Sequence, residues 1–446
     1  MKNLKNSGIE WLGEIPEHWE IKRLRYVGYI FGGLTGKTAK DFNREYQKGF
    51  KPYITFTNVC NNTIIDSNKM EYVSIGDLET QNKVLKNDIL FLQTSETFDD
   101  IGKTAIYLDD KEVYLNTFCK GFRVEKSAYP LFLNYIFISL TYKRYFLSNC
   151  SGFTRINLRQ EHLLDIPLIL PPLKEQEQIA NFLDEKCEKI QNFIEKKEKL
   201  LSLLQEQKQA LINETITKGL DKNVKLKNSG IEWLGEIPEH WEVRKLKMLF
   251  SFGNGLNITK ADFISFGIPC ISYGEIHSKY PCRLDLSVHK LPFVSETYLN
   301  DKPQSLLSKG DFVFADTSED IEGSGNFTCI QSNIPLFAGY HTIILRPKTQ
   351  IYSLYFSFLF DSIFVRNQIR EKVWGVKVFS ITKSILKEVQ CFIPPLKEQE
   401  QIANFLDEKC EKIDSLITKI KKQIELIKEY KTTLINEAVC GRMDLK

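Results

Sequence analysis

The amino-acid sequence predicts an α+β fold in which two mixed α/β domains are separated by two long antiparallel coiled-coil helices, with internal pseudo-two-fold symmetry. Three observations carry this expectation. Residues 4–20, LKNSGIEWLGEIPEHWE, recur unchanged at 226–242, and residues 171–190, PPLKEQEQIANFLDEKCEKI, recur unchanged at 394–413. A near-constant offset over the whole length means duplicated domains rather than a solenoid. After each Pro-Pro pair, apolar residues fall on alternating steps of three and four, the pattern of a coiled-coil seam. Between these constant blocks the halves diverge but keep matching landmarks: Thr94-Ser95-Glu96 answers Thr317-Ser318-Glu319, and Gly152 answers Gly375.

The duplication divides the chain into a repeat segment at 1–20, a variable domain at 21–170, a repeated helix at 171–220, a repeat segment at 221–242, a variable domain at 243–393 and a repeated helix at 394–446. In the first variable domain, Tyr53-Ile54-Thr55-Phe56-Thr57 and Asp88-Ile89-Leu90-Phe91-Leu92 read as strands. The apolar windows 131–140 and 351–365 each read as a buried helix, the first too short to span a membrane and the second interrupted by Asp361.

The first seam runs through Ile179, Leu183, Cys187, Ile190, Ile194, Leu201, Leu204 and Leu211, and the second through Ile402, Leu406, Cys410, Ile413, Ile417, Ile420, Ile424, Ile427 and Leu434. Lys197, Lys208 and Lys431 interrupt these seams, where a polar residue can fix register at some cost in stability or face a further partner. Gly219 and Gly441 are placed to end the helices. A helix from 174 to 217 is roughly 66 Å long at 1.5 Å per residue. The second helix can pair with it only by running back along it, which predicts one domain at each end of a dumbbell.

Composition bounds the rest. Of 446 residues, 42% are apolar and 26% charged, which excludes global disorder. The N-terminal residues hold no apolar stretch of signal-peptide length, and a cytoplasmic protein is expected. Ten cysteines include no CxxC pair and no His at zinc-site spacing, so they read as reduced core thiols. Residues 21–172 hold 20 basic and 16 acidic side chains, and 243–393 hold 17 and 13, so the positive charge lies in the variable domains. That balance fits a nucleic-acid role without requiring one.

No catalytic constellation is visible. Phe31-Gly32-Gly33-Leu34-Thr35-Gly36-Lys37-Thr38 ends like a phosphate-binding loop but has Phe31 where that loop needs glycine. No Asp-Pro-Pro-Tyr or Asn-Pro-Pro-Phe type sequence occurs, and Phe252-Gly253-Asn254-Gly255 does not match the glycine-rich cofactor loop of amino-methyltransferases. His18 and His240, beside Trp19 and Trp241 in the repeated frame, read as packing residues.

Two variable domains alternating with helices that open Pro-Pro-Leu-Lys-Glu-Gln-Glu-Gln-Ile-Ala, together with the Gly-Ile-Glu-Trp-Leu-Gly-Glu-Ile-Pro-Glu-His-Trp leader, resemble the specificity (S) subunit of type I restriction-modification systems. The resemblance covers nearly the whole chain. It implies two target-recognition domains, each reading half of a bipartite double-stranded DNA site, with spacer helices that set the gap and dock methyltransferase (M) subunits. It also implies a chain without catalysis or cofactor of its own. S-adenosylmethionine would belong to M subunits that methylate adenine, and ATP with Mg to restriction (R) subunits, and no membrane partner is expected.

Two copies of one frame predict two M subunits per chain. The expected DNA contacts are Thr94, Ser95, Glu96 and Lys103 in one domain and Thr317, Ser318 and Glu319 in the other, followed by Arg155, Arg159 and Lys377 before the spacers. The shared Thr-Ser-Glu reads equally as a structural turn, because the half-sites should differ while the triplet does not. Off-seam apolar residues mark the partner face: Phe182, Phe193, Leu200 and Leu203 on the first helix, and Phe405, Leu416 and Leu426 on the second. For Phe182 and Phe405, packing on the variable domains is an equal reading. A two-partner protein scaffold without DNA specificity, and a stand-alone nuclease or methyltransferase with degenerate motifs, are the competing functions. The identical blocks further suggest that homologous DNA could let the variable domains be exchanged by recombination.

Overall fold

Each repeat segment folds as a small antiparallel hairpin, Leu4–Asn6 against Glu14–Pro16 and Leu226–Asn228 against Glu236–Pro238, in the computed structural model. The structure describes residues 3–76, 78–125, 128–231, 235–279, 281–375 and 377–443, and Trp233 of the second segment lies outside them. The chain divides into two units, Met1–Lys197 with Lys421–Lys446, and Glu198–Ile420. Each therefore holds one variable domain, the start of its own long helix and the end of the other.

In the first unit an antiparallel sheet orders Thr104–Ile106, Ile89–Leu92, Cys119–Val124 and Gly28–Gly32. A second sheet orders Tyr114–Leu115, Phe50–Ile54, Glu71–Ser74 and Phe42–Asn43, with the first pair parallel. The four residues of Ile89–Leu92 are all buried, as a central strand covered on both faces requires. The rings of Phe91 and Phe137, 4.9 Å apart, join sheet to helix. In the second unit the main sheet has five strands, Phe250–Asn254, Thr342–Pro347, Phe312–Ala315, Phe327–Ile330 and Cys282–Leu284. Its Phe312, Phe314 and Phe327 meet Phe360 at 5.0 to 5.5 Å.

Local capping chemistry corrects three expectations. The windows 131–140 and 351–365 are not single helices but parts of helix pairs, Pro130–Ile138 with Leu140–Ser148 and Ser353–Asp361 with Ile363–Arg370. Ser139 and Ser362 break them. Each is extended, donates its hydroxyl to the finished helix (Ile136 O at 2.7 Å, Leu359 O at 2.5 Å) and caps the next. The run 53–57 is a strand only to Ile54, because the Thr55 hydroxyl accepts from Asn58 N at 3.2 Å and starts the helix Phe56–Asn61.

His18 and His240 are half-exposed rather than packed, and the buried residues are their neighbours Trp19 and Trp241. Both pairs seize one carboxylate in the first turn of a long helix. His18 Nε2 and Trp19 Nε1 reach the two oxygens of Glu175 at 2.8 and 3.3 Å, and His240 and Trp241 reach Glu398 at 2.7 and 3.1 Å. The next residue ties down the variable domain. Buried Gln176 accepts from Tyr129 N at 2.9 Å and donates to Pro171 O at 2.8 Å, and Gln399 does the same with Tyr352 N and Pro394 O at 3.0 and 2.9 Å.

The long helices span Leu173–Lys218 and Leu396–Val439. Within each unit their portions run antiparallel. In the second unit Lys208 bonds both oxygens of Asp414 at 2.8 and 2.7 Å, while Gly219 lies beside Glu398 and Trp241. In the first, Lys431 lines a cleft with Asp184, Cys187, Glu188 and Glu195, while Gly441 lies beside Pro16 and Trp19. The interrupting lysines Lys208 and Lys431 thus sit among acids of the facing helix. Buried Ile179, Leu183, Ile190 and Ile194 keep the expected seam in the first unit, and Ile402, Leu406 and Ile420 in the second. Among the described residues no helix is long and apolar enough to cross a membrane.

Gly219 and Gly441 end the helices at φ +73° and +72°, where L side chains are strained. A Cβ on Gly441 would stand 2.5 Å from Pro16, whereas one on Gly219 would stand 3.1 Å from Glu398 and 3.2 Å from Trp241. Gly219→Ala should therefore cost about 1–2 kcal/mol, and Gly441→Ala more, because Pro16 must also move. Thermal unfolding of the full chain checks this, and equal losses would contradict it.

Candidate nucleic-acid interface

The shared Thr-Ser pair is a strap. Thr94–Ser95 pairs with the strand Ile156–Leu158, Ser95 opposite Ile156, and Thr317–Ser318 pairs with Phe379–Ser380, Ser318 opposite Phe379. Ser95 and Ser318 are each only 4% exposed. Largely buried, they tie the loop after a central strand to the segment leading into the long helix. The Thr94 hydroxyl donates to Asn157 Oδ1 and the Thr317 hydroxyl to Asp316 Oδ1, both at 2.7 Å. Glu96 and Glu319 are exposed just beyond the strap.

Lys103 is held by Asp100 at 2.6 Å and faces Cys60 Sγ at 3.5 Å. The Lys103 ammonium holds Asp100 below the usual carboxylate range, and burial pushes the Cys60 thiol up. The Lys103 side chain stays 39% exposed. Arg155 lies 5.7 Å over the Phe118 ring, and Arg159 and Lys377 are exposed. Arg155, Glu96 and Thr94 line one cleft of about 410 Å³ with Phe56, Asn116 and Phe118.

Strand pairing gives each cleft residue a counterpart in the second unit. Leu115 pairs in parallel with Ile54, and Ala338 with Ile271. Beyond those pairs, Asn116 N donates to Ile54 O at 3.1 Å and Gly339 N to Ile271 O at 2.7 Å. By these registers Phe56 corresponds to Tyr273, Asn116 to Gly339 and Phe118 to His341. Arg155 corresponds to Val378, each being the residue before the strand that pairs with the strap.

Cys60 in turn corresponds to His277, Asp100 to Gly323 and Lys103 to Asn326, since Lys103 O and Asn326 O accept equivalent backbone bonds from Leu92 N and Ala315 N. In the second unit the Arg366 guanidinium donates to Asn326 Oδ1 at 2.9 Å, which turns the amide NH₂ toward His277 Nδ1, also at 2.9 Å. The ring proton is then on Nε2, which donates to Thr317 O at 2.7 Å. One backbone plan thus carries Phe, Asn, Phe, Arg and a Cys-Asp-Lys cluster in the first unit, and Tyr, Gly, His, Val and a His-Gly-Asn cluster in the second. The sequence reading missed Phe56, Asn116, Phe118 and their counterparts.

The off-seam apolar residues are placed as follows. Phe193 and Leu426 in the first unit, and Leu200, Leu203 and Leu416 in the second, are exposed. Phe182 and Phe405 are half-buried under Lys186 and Lys409, whose ammonium groups lie 5.6 and 5.7 Å from the rings, and Phe405 also packs on its unit's core. Among the described residues no group of three or more His, Cys, Asp or Glu is placed to hold a metal ion.

A family model of the type I restriction modification DNA specificity domain matches the chain twice, at residues 16–203 and 238–426. The type I restriction enzyme MjaVIII specificity subunit of Methanocaldococcus jannaschii is 27% identical over 441 residues, 97% of this chain and 94% of that protein. The EcoKI specificity subunit of Escherichia coli is 23% identical, covering 97% and 90%. The fold is shared with a chain solved in a study of complex assembly and conformational transition of a type I R-M system, at TM-score 0.72, 15% identity and coverage of 96% and 99%. It is also shared with the HsdS subunit of Thermoanaerobacter tengcongensis, at TM-score 0.52, 15% identity and coverage of 96% and 98%. With two constant frames, two diverged variable domains and both halves matched, the chain belongs to the type I restriction modification DNA specificity family and has the architecture of a specificity subunit.

Proposed function

We propose that this chain directs a type I restriction-modification complex to a bipartite DNA sequence, each unit reading one half-site through its variable cleft. Residues 21–170 and 243–393 are the target-recognition domains, 171–220 and 394–446 the spacers, and 1–20 and 221–242 the segments that seat them. One observation supports the reading above the rest: equivalent cleft positions carry unlike donors, acceptors and apolar groups on a common backbone, as reading unlike half-sites requires. The chemistry belongs to partners. Two methyltransferase subunits using S-adenosylmethionine modify adenine, restriction subunits supply ATP- and Mg-dependent cleavage, and the complex works in the cytoplasm.

Co-expression with its methyltransferase, followed by genome-wide mapping of methylated adenine, tests the function. A two-part motif with a fixed gap is expected, and a stable complex that produces no motif would favour a protein scaffold. Binding should also weaken steeply with salt, since phosphate contacts release counterions. Arg155→Ala should lower the salt slope by about 1 while leaving Arg159 contacts intact, whereas an unchanged slope would remove Arg155 from the phosphate surface.

The exposed Leu426 and Leu203, repeat-related residues 54% and 51% exposed, are the proposed methyltransferase faces of the two units. Leu426→Glu and Leu203→Glu should each remove one methyltransferase from the purified complex, and the double variant both, as read by native mass spectrometry. Retention of both subunits by the double variant would place the docking surface elsewhere.

A further inference from the structure

Each unit carries a loop whose tip is a bare aromatic side chain. Phe153 is fully exposed at 100%, and Trp374 is 87% exposed. Single exposed apolar residues are common on soluble proteins, so exposure alone assigns nothing. Here three further features coincide. Both loops are pinned by glycine: a Cβ on Gly152 would stand 1.9 Å from Arg155 O, and one on Gly375 would stand 2.0 Å from Val378 O. Neither position has room for a Cβ, so only glycine fits there. The loops are also equivalent, each leading into the strand that pairs with the buried strap. Yet Phe153 follows its glycine while Trp374 precedes its own, so the aromatic tip is common to two loops of different sequence.

Charge supplies the third feature. Arg155 and Arg159 follow Phe153, and Lys372 and Lys377 flank Trp374, all exposed. Within 151–159 there is no acidic residue, and within 372–378 there is none either. In the first unit the loop is continuous with the cleft, because Arg155 lines it beside Phe118. A flat apolar ring held at a tip near cations in the chain fits a duplex better than a protein surface: the cations meet phosphates while the ring enters between base pairs.

We propose that Phe153 and Trp374 are stacking wedges, each inserting at one base step of its half-site and opening that step. The wedge explains how domains with modest clefts gain affinity and register, since a kinkable step is then read through its deformability. The proposal rests on the DNA-specificity reading above and adds the contact through which each domain deforms its half-site.

The test uses the complex of the full chain with its methyltransferase and duplexes carrying the mapped motif, with 2-aminopurine placed at successive positions outside the methylated adenines. The wild-type complex should raise fluorescence at one step in each half-site. Phe153→Ala should abolish the signal in one half-site only and weaken binding about tenfold, within the range of single-base stacking. Trp374→Ala should act on the other half-site, and Phe153→Trp should restore the first.

Several results would overturn the wedge. Alanine variants that bind with unchanged affinity and unchanged fluorescence remove it outright. Loss of methyltransferase from either alanine variant, with no change in DNA signal per remaining complex, would make the tips protein contacts instead. A wild-type complex with no sequence preference sinks the specificity reading and the wedge together, whereas preference retained without any opened step sinks the wedge alone.

Discussion

A single carboxylate in the first turn of each long helix organises its surroundings. Glu175 is held by the Trp19 indole and the His18 imidazole of the leading repeat segment, and Glu398 by Trp241 and His240. A carboxylate near a helix N-terminus is favoured by the unpaired backbone N–H groups there, so the joint also stabilises the start of the helix. The adjacent Gln176 or Gln399 fastens the variable domain to the same turn. Around Trp19 and Trp241 the terminal glycine of the returning helix packs closely. Four separate pieces of chain therefore meet around the first turn of each long helix, and the Pro-Pro-Leu-Lys-Glu-Gln and Glu-His-Trp motifs are the two halves of that meeting point.

This explains why the frame is constant while the clefts vary. At the joint the indole bonds are partly buried and the glutamine bonds to Pro171 and Pro394 are buried, so losing them leaves polar groups stranded and substitutions there are costly. The cleft residues sit at strand ends and loop starts, where the backbone is already fixed by pairing such as Leu115 with Ile54 and Ala338 with Ile271. Side chains there can change from Phe118 to His341 or from Arg155 to Val378 without disturbing the sheet. Variable side chains on rigid strand ends are a general arrangement, and this chain carries it twice.

Much of the frame was legible in the sequence because it rests on periodicity and identity. The seam through Ile179, Leu183, Ile190 and Ile194 follows from a heptad pattern, and the glycine stops follow from the need for left-handed backbone at Gly219 and Gly441. Long-range convergence was not legible. Phe56, Asn116 and Arg155 are far apart in sequence and come together only because a parallel strand pair and the strap place them at one edge. The misread elements share a cause as well. Thr55, Ser139 and Ser362 sit in apolar surroundings that suggest continuity, but each hydroxyl caps a new helix. The histidines were misread because a Trp neighbour suggests burial, whereas the distant Glu175 and Glu398 draw the imidazoles outward.

The division of the units through the middle of both long helices has a consequence for synthesis. The first unit is completed only by residues 421–446, so the second unit is an insertion within the first. As the chain leaves the ribosome, the start of the first long helix, bearing Ile179, Leu183, Ile190 and Ile194, emerges more than two hundred residues before the segment that completes its unit. At about 5–20 residues per second that delay is roughly 10–45 s, long compared with the collapse of a small domain. During that interval the first unit lacks the helix segment that completes it. Completion of the second domain and closure of the first are therefore nearly simultaneous events, and the assembled protein appears late and all at once.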